Sequence, residues 1–422
     1  MKAIRIRSSI NETATIPGSK SITHRALIAA ALADGESLLK GSLSCEDTLY
    51  TVNGLRELGA RIVANENNMK VIGTGGRFEH ASGIRSIYLG NSGTSYRLLL
   101  STVSLAKGRY ILNCTPRMQQ RPVGELVKAL NKLGAKATCT AKEEFPPVYI
   151  NTKGIRGGRV ELRGEQSSQF VSSLLLAAPY AEKDTEIQIS GALISRPYVD
   201  ITIDVMRRFG IQVHREGYRS FKIPGGQRYA SCNISIEGDV SNASYFWAAA
   251  AVTGGTVTTR NINPYNTRQG DIAFLDILEQ MGSRVEREKD QVTIHGGALS
   301  GIEVDMNEMP DMVPTLAAVA LFARGKTVVR NVQHLRHKES DRLSSIVLEW
   351  SRLGGKVEEL PDGLIIHGGK ALSGIPVDPH DDHRMAMSLA VVGLKVPGVV
   401  IANEGCVKKS FPQFWQLWDK LQ

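Results

Sequence analysis

The side chains best suited to chemistry are cations and hydroxyls gathered just ahead of apolar runs. Pro17-Gly18-Ser19-Lys20-Ser21-Ile22-Thr23-His24-Arg25 leads into the apolar run 26–32. A helix N-terminus exposes unpaired N–H groups and the positive end of the macrodipole, so such an entrance favours a phosphate or a carboxylate. It lacks the G-x-x-x-x-G-K-[ST] spacing of a nucleotide-cradling loop. Ser, Gly and Thr are also ordinary helix caps, so this stretch alone leaves both readings open. Lys20, Arg25, Arg97, Arg121, Ser167, Ser168, Arg384 and Lys409 all stand near comparable entrances. If the entrances face one cleft, dipoles and side chains together would hold two or more anionic groups. The alternative for any one arginine is a solvated basic surface.

Acid–base chemistry has three candidate sources. Asp311, after Met309-Pro310, sits at an entrance where it could cap a helix or act as a general base. In Lys338-Glu339-Ser340-Asp341-Arg342 the carboxylates Glu339 and Asp341 could cap a second helix while Lys338 and Arg342 reach outward. Asp382-His383-Arg384 sets a carboxylate beside an imidazole and a guanidinium, an arrangement for a proton relay or again for a cap.

Composition bounds the rest. With 42% hydrophobic and 22% charged residues over 422 positions, the chain is ordinary for a packed protein and long enough for two domains. The five cysteines (Cys45, Cys114, Cys139, Cys232, Cys406) are scattered without a C-x-x-C pair, so buried free thiols are expected rather than disulfides or a zinc site. No apolar run reaches the roughly 18 residues of a membrane span, and residues 1–7 lack the apolar core of a signal peptide, so a cytoplasmic setting is expected. A net charge of +9 admits nucleic acid, anionic membrane surfaces or small polyanions as partners.

The elements that must position these residues recur with a period of roughly 72 residues, long enough for a two-helix unit. Six copies open alike, at Gly18-Ser19-Lys20-Ser21, Asn91-Ser92-Gly93-Thr94, Gln166-Ser167-Ser168-Gln169, Asp239-Val240-Ser241-Asn242, Pro310-Asp311-Met312 and Asp381-Asp382-His383-Arg384. A short β-branched strand follows each first helix. The second helix stops in five copies at Gly59, Gly134, Gly210, Gly282 or Gly354, as suits a left-handed helix terminus. Two closing strands make the unit βαβαββ. The sixth copy runs out after its second helix, and strand-like segments at 3–7 and 12–16 are expected to complete it. The fold class expected is therefore α/β: two domains of three βαβαββ units each, with pseudo-threefold symmetry, joined by two crossings as a hinge. One domain comprises 1–17 with 229–422, the other 18–228.

Together, Pro17-Gly18-Ser19-Lys20-Ser21 with Arg25, Asn91-x-Gly93-Thr94 with Arg97, Arg121-Pro122, Ser167-Ser168-Gln169-Phe170, Lys338-Glu339-Ser340-Asp341-Arg342, Asp382-His383-Arg384 and Lys409-Ser410-Phe411-Pro412 resemble the 5-enolpyruvylshikimate-3-phosphate synthase family. The resemblance spans nearly the whole chain and the motifs fall in the family's order. It implies two inverse α/β domains closing on a cleft and transfer of the enolpyruvyl group of phosphoenolpyruvate to the 5-hydroxyl of shikimate 3-phosphate. The implied route is addition to a tetrahedral intermediate and loss of phosphate, without metal or organic cofactor. It further implies that Lys20, Ser21, Arg25, Ser167, Ser168, Gln169, Ser195, Asp311 and Lys338 hold shikimate 3-phosphate, with Tyr198 near its ring. Lys20, Gly93, Arg121, Gln169, Arg342, Arg384 and Lys409 would surround phosphoenolpyruvate. Asp311 would take the hydroxyl proton and Glu339, near Lys338 and His383, would protonate the methylene carbon, with Lys20 and His383 completing the catalytic set. The partners implied are these two small molecules, with neither nucleic acid nor membrane, for a monomer that glyphosate would inhibit.

Three positions depart from the family pattern: Leu98 for the usual proline, Ser92 for alanine, and His334 for an asparagine near the sugar-like ring. A related reading, UDP-N-acetylglucosamine enolpyruvyl transferase, draws on Cys114 ahead of Arg121-Pro122 but resembles neither Gly18-Ser19-Lys20-Ser21 nor Lys338-Glu339-Ser340-Asp341-Arg342. A nucleic-acid-binding reading lacks basic stripes with stacking aromatics, which make up only 6% of the chain.

Overall fold

The computed structural model describes residues 1–65, 67–78 and 83–421. Two compact units emerge, Gly18–Ile236 and the pair Met1–Pro17 with Glu237–Gln422. Within Gly18–Ile236 one plan repeats. Strand Ile84–Tyr88, helix Gly93–Ser104, strand Lys107–Asn113, helix Gly124–Lys132 and strands Lys136–Cys139 and Val148–Lys153 form one copy. Its first two strands pair in parallel, the last strand adds antiparallel to the second, and the third closes the edge. Gly158–Arg163 to Ser220–Ile223 repeats the same order around helices Ser168–Ala177 and Pro197–Arg208.

The two helices of a copy differ in kind, and sequence explains the difference. Helix Lys20–Leu32 is buried on every side from Ile22 onward, and Gly93–Ser104 and Ser168–Ala177 are nearly so. A helix apolar all round belongs inside a core, and the small residues of Ala29-Ala30-Ala31 and Ser172-Ser173 let such helices pack closely. The second helices, such as Gly124–Lys132, bury one stripe against a sheet and expose the other. The unit of Met1–Pro17 with Glu237–Gln422 repeats this scheme around the buried helices Val240–Thr253, Val313–Ala320 and His383–Gly393. The glycines read as helix stops, Gly59, Gly134, Gly210, Gly282 and Gly354, all have φ between +85° and +117°, a region L side chains avoid.

The N-terminal strands correct one expectation. Lys2–Ala3 does join the last copy, pairing with Val400–Ile401. Asn11–Thr15, however, pairs in parallel with Thr256–Arg260 and so supplies the first strand of the fourth copy, not of the sixth. Reciprocally, Asn233–Ser235 pairs in parallel with Leu38, Leu39 and Lys40 and opens the first copy. Each crossing strand thus joins a sheet of the unit it leaves. For the same reason the return crossing falls at Ile236–Glu237 rather than near Tyr229. Residues 3–7 do not form a continuous strand, because their partner is only two residues long and the Arg7 N–H turns to the Leu394 carbonyl at a helix end.

All five cysteines are free. Cys45 and Cys114 are buried, whereas Cys139, Cys232 and Cys406 are half-buried, a correction to the expectation of uniformly buried thiols. No helix among the described residues is long and apolar enough to cross a membrane.

Candidate active-site clusters

In the unit Gly18–Ile236 the helix entrance at Lys20 is shaped by a glycine. A Cβ on Gly18 would lie 1.8 Å from the Gly41 carbonyl oxygen, so only glycine lets the chain pass at this point. Lys20 Nζ stands 3.1 Å from Asp47 Oδ2, and both side chains are largely buried. Ser19, the N-cap residue, makes no side-chain cap, and its Oγ is buried with no hydrogen-bond partner among the described residues. One turn further, Arg25 is 1% exposed. Its Nε donates to Thr202 Oγ1 at 2.7 Å, its Nη1 to the Ser21 carbonyl at 2.9 Å, and its Nη2 to Ser172 Oγ and the Tyr198 carbonyl at 3.3 and 3.2 Å. Every one of these acceptors is neutral. Burial pushes the guanidinium down to about 10, against a smaller opposing effect of the Tyr198 phenol.

A second group lies at the next two helix entrances. Arg97 Nη1 donates to Gln169 Oε1 at 2.8 Å, and Gln169 Nε2 to Thr94 Oγ1 at 3.0 Å. Arg121 lies flat over Gly93: a Cβ there would come within 2.5 Å of Arg121 Nη2. Ser167 caps helix Ser168–Ala177 through the Gln169 N–H, and Ser168 is buried behind it. Ser195 is buried in the left-handed region, at φ +51°, ahead of helix Pro197–Arg208. Of the departing residues, Ser92 caps helix Gly93–Ser104 by accepting from the Ser95 N–H, and Leu98 is wholly buried in that helix.

In the unit of Met1–Pro17 with Glu237–Gln422 the cations meet carboxylates. Asp311, on the turn Pro310–Met312, accepts from Arg342 Nη1 at 2.8 Å and Arg384 Nη2 at 2.7 Å, with Lys338 Nζ at 3.6 Å. Arg342 also donates through Nη2 to Glu339 at 2.9 Å and through Nε to Asp382 at 2.8 Å. Asp382, fully buried, accepts in addition from Ser340 Oγ and from the Arg384 N–H, so it caps helix His383–Gly393 while holding Arg342. His383 Nδ1 stands 3.7 Å from Asp382. Arg384 Nη1 reaches the Tyr245 hydroxyl at 3.4 Å. Lys409 is buried at the end of the turn Glu404–Lys409.

Electrostatics follow from this placement. Burial opposes ionisation of Asp311, but Arg384, Lys338 and Arg342 outweigh it and hold the carboxyl well below the usual carboxylate range. Asp382 is likewise lowered, burial being overcome chiefly by Arg342. Behind them, buried Asp271 accepts from Ser241 Oγ and is pushed up to about 7, by burial first and by the Asp311 charge second, with Arg384 opposing. His334 is pushed down to about 3 by burial, with Lys338 and Arg342 adding, so its imidazole is neutral.

The structure corrects the reading of 338–342. Asp341 is the N-cap of helix Arg342–Arg352, accepting from the Ser344 N–H, whereas Glu339 binds Arg342. Arg342 does not reach outward but is 1% exposed, because three carboxylates gather its fork inward. Sequence reasoning missed Asp47, Ser172, Thr202, Asp271 and Tyr245. All but Asp271 lie inside helices, where single polar residues read as solvent-facing, and no local signal marks what each would hold.

The comparisons with known proteins agree over the whole chain. The family model described as EPSP synthase (3-phosphoshikimate 1-carboxyvinyltransferase) matches residues 4–418. A 3-phosphoshikimate 1-carboxyvinyltransferase of Syntrophobacter fumaroxidans is 45% identical, covering 100% of this chain and 99% of its own. One from Methanoculleus marisnigri is 46% identical, covering 95% of this chain and 94% of its own. The solved EPSP synthase of Acinetobacter baumannii superposes with a TM-score of 0.83 at 30% identity, covering 99% of this chain and 97% of that one.

Proposed function

The chain belongs to the EPSP synthase family and transfers the enolpyruvyl group of phosphoenolpyruvate to shikimate 3-phosphate; from that premise we propose how its residues divide the work. The observation that carries the assignment is Arg25, a buried guanidinium whose acceptors among the described residues are all neutral. A buried cation without a counter-charge is unfavourable unless an anion joins it. The phosphate of shikimate 3-phosphate supplies that anion, with Lys20, Ser21, Ser167, Ser168, Gln169 and Ser195 as further donors and Lys338 and Asp311 on the ring hydroxyls.

Phosphoenolpyruvate carries both a phosphate and a carboxylate. The donors assigned to it are Lys20, Arg121, Gln169, Arg342, Arg384 and Lys409, with Gly93 leaving its backbone bare beside Arg121. Arg342 and Arg384 also hydrogen-bond to Asp311. When substrate anions take up those guanidinium donors, the cations that hold the Asp311 carboxyl down are diverted and its basicity rises. Asp311 then accepts the proton of the 5-hydroxyl as that oxygen bonds to C2 of phosphoenolpyruvate, while Glu339 gives a proton to C3. The tetrahedral adduct expels phosphate by cleavage of its C2–O bond, and a proton leaves C3 to restore the double bond. His383, beside Asp382, and Lys20 complete the catalytic set.

The thiol-dependent alternative finds no support in Cys114, whose thiol is pushed up to about 12 by burial and so is protonated at neutral pH. The deciding experiment is an assay of phosphate release from phosphoenolpyruvate. Release that requires shikimate 3-phosphate is the expected result; release that requires a nucleotide sugar instead would overturn it.

A further inference from the structure

Helix Arg342–Arg352 presents Arg342 at its first turn and Glu349 two turns later, and the mechanism above does not use Glu349. Yet Glu349 is a carboxylate only 1% exposed. Its Oε2 accepts from Arg352 Nη1 at 2.7 Å and from the Asp378 N–H at 3.1 Å, and its Oε1 from His380 Nε2 at 3.1 Å. Two of these three donors belong to the segment that leads into Asp382.

That segment is under backbone strain. His380 and Asp381 have φ +54° and +55°, two consecutive L residues in the left-handed region, which persists only when the surroundings hold it. Five hydrogen bonds do so. Glu349 accepts from the Asp378 N–H and from the His380 ring, Asp378 Oδ1 accepts the His380 N–H at 2.8 Å, the Asp382 N–H reaches the Pro379 carbonyl, and Asp381 Oδ1 accepts from Asn403 Nδ2 at 3.0 Å. Asn403 is in turn the N-cap of Glu404–Lys409 and is itself left-handed, at φ +44°. Immediately after the strained pair, Asp382 fixes Arg342 and caps the helix that begins with His383-Arg384. One five-residue segment, 378–382, is therefore tied to each of the three elements that carry Arg342, Arg384 and Lys409.

We propose that Glu349 is a positioning residue for the phosphoenolpyruvate subsite, holding the left-handed pair His380-Asp381 so that Asp382 and Asn403 keep Arg342, Arg384 and Lys409 in register. The inference rests on the assignment of those three cations to phosphoenolpyruvate. A hydrophobic side chain at 349 fills the space but accepts no hydrogen bond, and the segment then relaxes toward extended backbone, turning Asp382 away from Arg342.

The test is steady-state kinetics with both substrates varied, alongside thermal unfolding. Glu349→Leu is expected to raise KM for phosphoenolpyruvate about tenfold or more, a misplacement of about 1 Å being able to cost as much as about 10²-fold, while KM for shikimate 3-phosphate stays nearly constant. Glu349→Gln, which keeps one acceptor oxygen, should fall between, and it carries the test if Glu349→Leu does not fold. Adding His380→Gly to Glu349→Leu should restore much of the lost affinity, because glycine enters the left-handed region without strain. A merely structural role would lower the melting temperature, move both KM values together and gain nothing from the glycine; that outcome, or an unchanged KM for phosphoenolpyruvate in folded Glu349→Leu, overturns the inference. Arg384→Gln, run in parallel, separates the premise: if it leaves KM for phosphoenolpyruvate unchanged, the assignment of the cations fails, whatever Glu349 does.

Discussion

Arg25 and Arg342 are equally buried, each about 1% exposed, yet their surroundings are opposite. Arg25 ends on two hydroxyls and two backbone carbonyls and is pushed down to about 10 by burial. Arg342 ends on Asp311, Glu339 and Asp382, whose charges more than offset burial and raise it. The first site is left short of negative charge by the protein and attracts an anion directly. The second already carries three carboxylates, so an anion arriving there competes with them, and one of those carboxylates is the proposed base. On the proposed roles, two arginines with one burial serve recognition in one case and coupling of recognition to proton transfer in the other.

The comparison can be broken most directly at the base. Asp311→Asn and Glu339→Gln should each lower kcat by about 10²- to 10⁴-fold, roughly 3 to 5 kcal/mol of barrier, while the Kd for shikimate 3-phosphate moves less than about tenfold. Near wild-type turnover in both folded variants would remove these residues from the proton transfers. Next comes Arg342→Met, which takes the shared cation from two buried carboxylates and the half-buried Asp311 and should destabilise the ligand-free protein by about 3 to 5 kcal/mol in urea unfolding.

Arg25→Met should do the reverse: the ligand-free protein keeps or gains stability, while affinity for shikimate 3-phosphate, read by calorimetry, falls about 100-fold, or about 2.7 kcal/mol. If both substitutions destabilise the free protein alike, the contrast between the sites is wrong. Asp271 offers a pH test of how fully the second site is charged. Its carboxyl titrates near 7 when folded and near 3.9 unfolded. Its contribution to stability is therefore fully present below about 4 and is lost as pH rises through about 7. Asp271→Asn removes that dependence, so its effect on stability should be more favourable at pH 8 than at pH 5, by roughly 2.6 kcal/mol. The smallest effect expected is that of Gly93→Ala, whose methyl must push aside the Arg121 guanidinium. It should raise KM for phosphoenolpyruvate about tenfold, roughly 1.4 kcal/mol, and weaken inhibition by glyphosate in step.

Much of this was legible in sequence because helix entrances and exits are written locally. Ser167, Asp239 and Asp382 are caps three residues or fewer from the groups they satisfy, and the five stop glycines mark left-handed turns. What depends on a distant partner was not legible. A Lys-Glu-Ser-Asp-Arg string reads as an exposed, self-paired helix start, and only the arrival of Asp311 from the opening of its own copy and of Asp382 from the next draws Arg342 inside. Asn11–Thr15 reads as a strand, but nothing near it says that Thr256–Arg260 is its partner. Ser172 and Thr202 look like ordinary helix polar residues until Arg25 is laid between them.

The crossing strands also order events during synthesis. The unit Gly18–Ile236 contains all its strands between its own ends and can close as soon as Asn233–Ser235 reaches Glu36–Lys40. Asn11–Thr15, made far earlier, has no partner until residues 256–260 emerge, and Lys2–Ala3 none until Val400–Ile401 does. At about 5 to 20 residues per second, the first of these strands waits roughly 12 to 50 seconds beside the ribosome. An unpaired strand edge invites wrong pairing. Asn-Glu-Thr-Ala-Thr, with a single apolar residue, is a segment poorly suited to pairing prematurely.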